Sequence, residues 1–266
     1  NRSQVMKNAK EYRIKLREIR QALNELTVKK YKREYNPGSW QQMQELLYGH
    51  LGLRPLNTST DEDTLKEIEA ELRDRHIVVP ELKLLMDHRK AAKIYGTYIR
   101  PLVPRELRTE IERKKKDQKC FIQDDGKVYA TFKIHGTRTG RLSSSDPNLQ
   151  NQPRLVALRD QFMASTGMDG VQRWFMEVDY NQAELRSLAV MSGDPALLDI
   201  YLTGKNIHYE VSMDLWGKDW LYRYSEENKK KDEADYDLAK FQYIRTKAVN
   251  FGIIYGLGAN GLARDI

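Results

Sequence analysis

Apolar residues recur in alternating steps of four and three along the start of the chain, at Val5, Ala9, Tyr12, Leu16, Ile19, Leu23 and Leu26. This is a heptad seam, and it predicts one long helix whose other faces carry Lys and Arg, either in a helical hairpin or in a coiled-coil arm. Asn36-Pro37-Gly38-Ser39 breaks it, with Ser39 placed to cap a helix over 40–51 that Gly52 stops. A polar loop over 56–60 leads into a second helical region from 62 to about 98, interrupted near Val79-Pro80 and carrying Leu82, Leu85 and Met86. Two long helices joined by short elements predict an antiparallel arm. The basic end of the second, Arg89, Lys90 and Lys93, could follow a phosphate backbone, or be a solvated face.

Pro101 and Pro104 close this region, and the charged stretch 105–119 predicts a surface helix. Asp124-Asp125-Gly126 between two β-rich runs, 120–123 and 127–134, predicts a hairpin. Residues 135–153 are almost entirely turn formers, amides, hydroxyls and Arg, too polar for a core element and suited to sugar, phosphate and base edges. A bulky run over 175–179 predicts a strand ending at Asp179, then a polar turn and a helix over 182–192 that Gly193-Asp194-Pro195 ends. Short helices are expected over 196–202 and from about His208 to 215. Residues 216–237 read as irregular, with the charge run 226–235 as a solvated loop. A last helix is expected through 243–256.

Composition narrows the class. At 266 residues and 40% hydrophobic the chain can build one large domain or two ordinary ones. A mean hydropathy of −0.73, with no apolar run near the ~20 residues of a span, predicts no membrane segment. No signal peptide is legible, and the start at Asn1 rather than Met leaves room for an upstream segment. One cysteine, Cys120, excludes an internal disulfide and fits a reducing compartment. The five histidines and Cys120 show no zinc-ligand spacing. A net charge of +7 favours a polyanionic partner, nucleic acid above all.

Two stretches carry candidate chemistry. A strand that stops at Asp179 would present its carboxylate at a sheet edge, where a hard cation finds oxygen ligands, though Asp in that place is also a turn former or helix N-cap. Two divalent ions so held clamp the attacking and leaving oxygens of a phosphoryl transfer. Glu184 follows on the next helix. On the last helix Lys247, Phe251 and Tyr255 fall within ~80° of one another and offer a cation, a ring and a phenol on one face. Such a set could grip a phosphate and stack on a base, or be an amphipathic helix with a Lys at its edge.

Taken in order, three stretches resemble the family A DNA polymerases, the group related to bacterial DNA polymerase I. Residues 139–151, Thr-Gly-Arg-Leu-Ser-Ser through Pro-Asn-Leu-Gln-Asn, are similar to the family's template-primer loop. Residues 179–186, Asp-Tyr-Asn-Gln-Ala-Glu-Leu-Arg, are similar to its motif A, and 247–256 to its motif B. The likeness reaches back through Lys93-Ile94-Tyr95-Gly96-Thr97-Tyr98-Ile99 and covers nearly the whole chain.

The resemblance implies an α+β right-hand architecture with a helical thumb over 1–100, part of an antiparallel palm over 101–203 and part of the helical fingers over 204–266. It implies a template-directed DNA polymerase working on primer-template DNA and dNTP with two Mg²⁺ ions. Asp179 would bind both ions, with the Tyr180 carbonyl as a further ligand. Lys247 and His208 would hold the triphosphate, Glu184 would exclude a ribose 2′-OH, and Gln182, Phe251 and Tyr255 would complete the nucleotide pocket. Arg141, Asn148, Gln150 and Asn151 would hold the duplex, largely from the minor groove.

Two departures matter. The family usually has Arg four residues before the motif B lysine. Tyr243 stands there, and Arg245 lies about 200° round the helix from Lys247. The family's motif C, a His-Asp-Glu turn with the second metal-binding Asp, does not occur in the 266 residues, nor does a 3′–5′ exonuclease domain. The expectation is therefore the N-terminal part of a polymerase core, inactive alone, from a split or truncated enzyme completed by a second polypeptide. The alternatives are a non-catalytic nucleic-acid-binding remnant and an RNA-making polymerase, against which Glu184 argues. A cytoplasmic setting is expected, in a bacterial or phage-infected cell, with an organelle left open.

Overall fold

The computed structural model describes residues 1–53, 59–113, 119–166, 169–259 and 261. The chain divides into two compact units, Asn1–Phe175 and Met176–Ile266, a division that falls inside the span expected to be palm. The fold is α+β, mostly helical, with a two-stranded antiparallel sheet.

The first unit is organised on helix α1 (Arg2–Tyr31), whose Asn1 side chain caps it by accepting from Gln4 N. The heptad seam is its buried face: Val5, Ala9 and Leu23 are 2% exposed or less. The seam is covered by α4 (Pro80–Ile94), which continues through a wide turn of helix over Tyr95–Ile99. Between them come α2 (Trp40–Gln44), extended by a wide turn of helix over Glu45–His50, and α3 (Glu62–Asp74), capped by the Asp61 carboxylate. Residues 9 and 23 lie about 21 Å apart along α1 at 1.5 Å per residue, so one helix serves two apolar clusters. Leu23 joins Met43, Leu46, Leu47, Leu65 and Leu85, and Val5 and Ala9 join Tyr95, Ile99, Val103 and Leu158.

The charged stretch after Pro104 is only partly the surface helix expected. A tight turn over Arg105–Leu107 is followed by the short α5 (Glu110–Arg113). Two of its charges turn inward: Arg108 and Glu112 are buried. Arg108 donates to the carbonyls of Val103 and Lys119 at 3.0 and 2.9 Å. Glu112 pairs with Arg13 at 2.6 Å and accepts from Tyr95 Oη and, at 2.8 Å, from Thr109 N. Burial alone would raise the Glu112 carboxyl, but these donors outweigh it and hold it at about 2. The rest of that expected helix, 114–118, and most of the loop expected over 56–60 lie outside the described residues.

The Asp-Gly turn forms, with Gln123 N bonded to Lys127 O at 2.9 Å and one bridge between Ile122 and Val128. The ladder goes elsewhere. Strand β1 (Thr131–Lys133) pairs antiparallel with β2 (Ser143–Ser145), inside the stretch expected to be loop. Ser144 is buried there because its hydroxyl is satisfied, donating to Pro147 O at 3.1 Å and accepting from Leu149 N at 3.2 Å. Short α6 (Val156–Arg159) follows and buries Leu158.

The second unit holds α7 (Ala183–Ser192), α8 (Pro195–Leu202), α9 (Ile207–Trp216), α10 (Trp220–Arg223), α11 (Glu226–Lys231) and α12 (Glu233–Ile254). Two expectations fail here. The run 175–179 forms no strand among the described residues, because nothing pairs with its backbone, and a segment becomes a strand only beside a neighbour. The irregular loop over 216–237 is instead α10, α11 and the first turn of α12. Ser225 and Asp232 cap the latter two, accepting from Asn228 N and Asp235 N, and the fully buried Trp220 anchors the group. Among the described residues no helix is long and apolar enough to cross a membrane.

Candidate active site

Helices α9 and α12 pack against each other in the second unit and are joined by a buried hydroxyl hub. Thr246 Oγ1 accepts from Ser212 Oγ and Trp216 Nε1, each at 3.0 Å, and donates to Gln242 O at 3.0 Å. Both hydroxyl residues are 0% exposed. A buried hub with every partner present fixes the rotation of one helix on the other.

That rotation aligns the face predicted from sequence. One turn beyond Thr246, Asn250 Nδ2 meets His208 Nδ1 at 2.9 Å, and the Phe251 ring lies 5.6 Å from the His208 ring. His208 begins α9 behind Asn206, whose side-chain oxygen accepts from His208 N at 2.9 Å. Burial first, and then the charge of Lys247, push the His208 imidazole down to about 4, so near neutral pH it is uncharged. With Nδ1 accepting from Asn250, the ring proton sits on Nε2. His208 is 3% exposed, so it offers a hydrogen bond from beneath the surface rather than a positive charge.

Lys247 lies half-exposed on the same helix with Nζ 4.5 Å from the centre of the Tyr243 ring. Tyr255, which caps α12, donates its hydroxyl to Glu184 Oε2 at 2.8 Å, joining residues 71 apart in sequence. Glu184 stands in the first turn of α7. Just before it, Gln182 adopts a left-handed φ of 56° as the N-cap and donates its amide to Asn206 Oδ1 at 3.0 Å. Asn206 thus links the start of α7 to the start of α9. Gln182, Glu184, His208, Lys247, Phe251 and Tyr255 therefore all fall on α7, α9 and α12 or their caps.

Asp179 and Tyr180 are not gathered in with them. Both are exposed, Tyr180 at 86%, on the run before α7 that carries no regular structure. Their carboxylate and carbonyl are hard oxygen donors of the kind Mg²⁺ takes. Among the described residues no three His, Cys, Asp or Glu come together as a metal cage.

The residues expected to touch DNA lie in the first unit, around β2. Arg141, Asn148, Gln150 and Asn151 are all exposed. Their loop is set by its own polar groups: Thr137 Oγ1 donates to Arg141 O at 2.7 Å, Gln150 Nε2 to Leu142 O at 2.9 Å, and Gln150 N to Asn148 Oδ1 at 3.0 Å. The density of amides and hydroxyls noted in the sequence is thus spent partly on holding the loop. Sequence reasoning missed Asn206, Asn250 and Thr246. A signal existed for Asn206, an N-cap residue before Ile207, and for Thr246 and Asn250, spaced by four on one helical face.

Residues 3–266 match the family model of DNA polymerase family A. The DNA polymerase I of Helicobacter pylori strain J99 is 35% identical over 239 residues, which are 88% of this chain and 22% of that protein. The DNA polymerase of Bacillus phage SP01 is 29% identical over 263 residues, 90% of this chain and 24% of that protein. The POL domain of Pol1 from M. smegmatis, solved in complex with DNA primer-template and dNTP, matches with a TM-score of 0.68 at 25% identity, covering 98% of this chain and 40% of that one. The chain belongs to DNA polymerase family A. It spans about a quarter or less of the length of these two relatives.

Proposed function

We propose that these residues are part of a template-directed DNA polymerase and carry its nucleotide-binding face. The observation that carries this reading is the 2.8 Å hydrogen bond from Tyr255 to Glu184, which brings the end of α12 to the start of α7. With family membership, it supports reading Glu184, Tyr255, Phe251 and Lys247 as one nucleotide-binding face. In this reading Lys247 takes charge from the triphosphate as the pyrophosphate leaves, and His208 donates a neutral hydrogen bond. Glu184, held by Tyr255, fills the space that a ribose 2′-OH would need, the group that separates the two sugars. Phe251 borders the base and sugar, and Gln182 ties the pocket to α9. Arg141, Asn148, Gln150 and Asn151 hold primer-template DNA.

Asp179 and the Tyr180 carbonyl would hold Mg²⁺, whose bound charge stabilises the attacking and leaving oxygens of a phosphoryl transfer. A two-ion site needs more carboxylate than Asp179 supplies, so the reading requires another acid from outside these residues, on a longer chain or on a second polypeptide. A thumb over 1–100, palm over 101–203 and fingers over 204–266 belong to the same proposal, as does work in the cytoplasm of a bacterial or phage-infected cell.

The test is primer extension by the full-length protein, with whatever polypeptide completes it, against Asp179→Ala. Turnover should be lost while DNA affinity stays within about threefold, because the removed charge acts on metal and nucleotide rather than on the duplex. Near-wild-type turnover in the variant would sink the metal-ligand assignment. Tight DNA binding with no extension by the wild type would favour a binding module instead.

A further inference from the structure

We propose that Tyr243 is a positioning residue for Lys247: a stack of rings built on the buried Trp220 fixes the phenol, and its face holds the lysine ammonium ready for the triphosphate of an incoming nucleotide. The inference rests on the polymerase reading above. It begins at Trp220, which is 0% exposed and donates Nε1 to Ala239 O of α12 at 3.2 Å. Tyr224 stacks on Trp220 at 5.1 Å and 17°. Tyr243 stacks in turn on Tyr224 at 5.0 Å and on Trp220 at 5.9 Å, with Tyr209 tilted against it at 5.5 Å. The ring that Lys247 meets is therefore one member of a fixed assembly.

The direction of the contact follows from the helix. Side chains on a helix lean toward its N-terminus, so a residue lies over the one four positions before it. Lys247 lies over Tyr243 with Nζ 4.5 Å from the ring centre, and Arg245 likewise lies over Phe241 with its guanidinium carbon at 4.8 Å. The two pairs differ in their seats. Phe241 is 50% exposed and takes no part in the ring stack. Tyr243 is inside it.

A lysine stem has several rotatable bonds, and a ring face restrains its head through the quadrupole of the π-system. That restraint leaves the charge and the N–H donors available. A carboxylate would restrain the ammonium more strongly but would compete with phosphate for it, and among the described residues no carboxylate pairs with Lys247. The combination suits a group that must be held in place and still accept a polyanion.

The experiment is steady-state incorporation by the full-length protein on a primed template, with dATP varied. Tyr243→Leu should raise KM for dATP about three- to tenfold, the range a cation–π contact corresponds to, with kcat within about twofold. Tyr243→Phe keeps the ring face and should restore KM to within about twofold. Phe241→Leu, which removes the ring under Arg245, should leave KM unchanged. In a Lys247→Ala background Tyr243→Leu should add no further loss, because the two residues act as one. Equal KM for the Leu and Phe variants, or an undiminished effect of Tyr243→Leu without Lys247, overturns the proposal while leaving the polymerase reading intact. Lys247→Ala with unchanged KM overturns the placing of Lys247 on the triphosphate, and the proposal with it. If the wild type extends no primer, calorimetric binding of dATP to the same variants decides: the same ranking supports the ring seat, and equal affinities overturn it.

Discussion

Helix α12 and residues 176–180 belong to one compact unit and are held in opposite ways. The helix bonds its own backbone, and it is pinned further by the Thr246 hub and the rings around Tyr243. The run before α7 has Met176, Val178 and Tyr180 at 87%, 80% and 86% exposure. A helix closes its hydrogen bonds within itself, whereas an extended segment leaves every N–H and C=O to a neighbour. The cluster of side chains on α7, α9 and α12 is thus finished by residues 182–255 alone, whereas the run carrying Asp179 has no strand beside it among the described residues. An edge of this kind invites pairing with another segment of chain.

The largest expected effect bears directly on that contrast. Amide hydrogen exchange should be near that of an open chain over 176–180 and at least about 10³-fold slower over 239–246, since core helices approach the global stability of ~5 kcal/mol or more. A polypeptide that pairs along 176–180 should slow exchange there. Equal protection of the two segments at the outset would remove the contrast altogether.

Truncating the anchor of the pinned half comes next. Trp220→Ala should lower unfolding stability by about 3–5 kcal/mol, the usual loss for a fully buried Trp, read by chemical denaturation. A loss below about 1 kcal/mol would mean that the ring stack is not what holds α10 to α12.

A pH titration sharpens the same half. His208 is held at about 4 in the folded unit, below the ordinary value of 6.5, by burial and then by the charge of Lys247, with the Tyr243 ring 6.2 Å away. Between those pH values the unfolded chain binds a proton that the folded one refuses, so the protein loses stability as pH falls from 6.5 toward 4 and loses none from this group above 6.5. His208→Gln should flatten the curve across that window. Identical curves for the two proteins would show that the ring is not buried neutral.

The smallest effect on stability is expected at the join between α7 and α12. Glu184→Ala removes an exposed partner of Tyr255 and should change stability by about 1 kcal/mol or less. It should still shift the ratio of kcat/KM for dATP over ATP by about tenfold or more toward ATP. An unchanged ratio would move sugar selection to another side chain, with Phe251 and Tyr255 next in line.

Much of the helical frame could be read from the chain. The α1 seam, the breaks at Pro37 and Gly193, and the common face of Lys247 and Phe251 follow from periods and caps that each helix carries within itself. The Glu226–Asp235 charge run misled because a solvated face and a solvated loop have similar composition. The discriminating signal was local: Ser225 and Asp232 stand as N-caps, each accepting from the N–H three residues on. Arg108 and Glu112 misled for the opposite reason, since charged residues go inside only where partners wait, and those partners are Arg13, Tyr95 and the carbonyls of Val103 and Lys119.

By itself the sequence determined most of the helices, the family and the residues with candidate chemistry, because periodicity, capping and short motifs are properties of neighbours along the chain. Only tertiary structure decided that β1 pairs with Ser143–Ser145, that 175–179 lies unpaired, that His208 is buried and neutral, and that Tyr243 lies beneath Lys247 within a stack of rings. Each of those depends on which distant group satisfies a backbone, a proton or a charge, and local sequence does not say which one arrives.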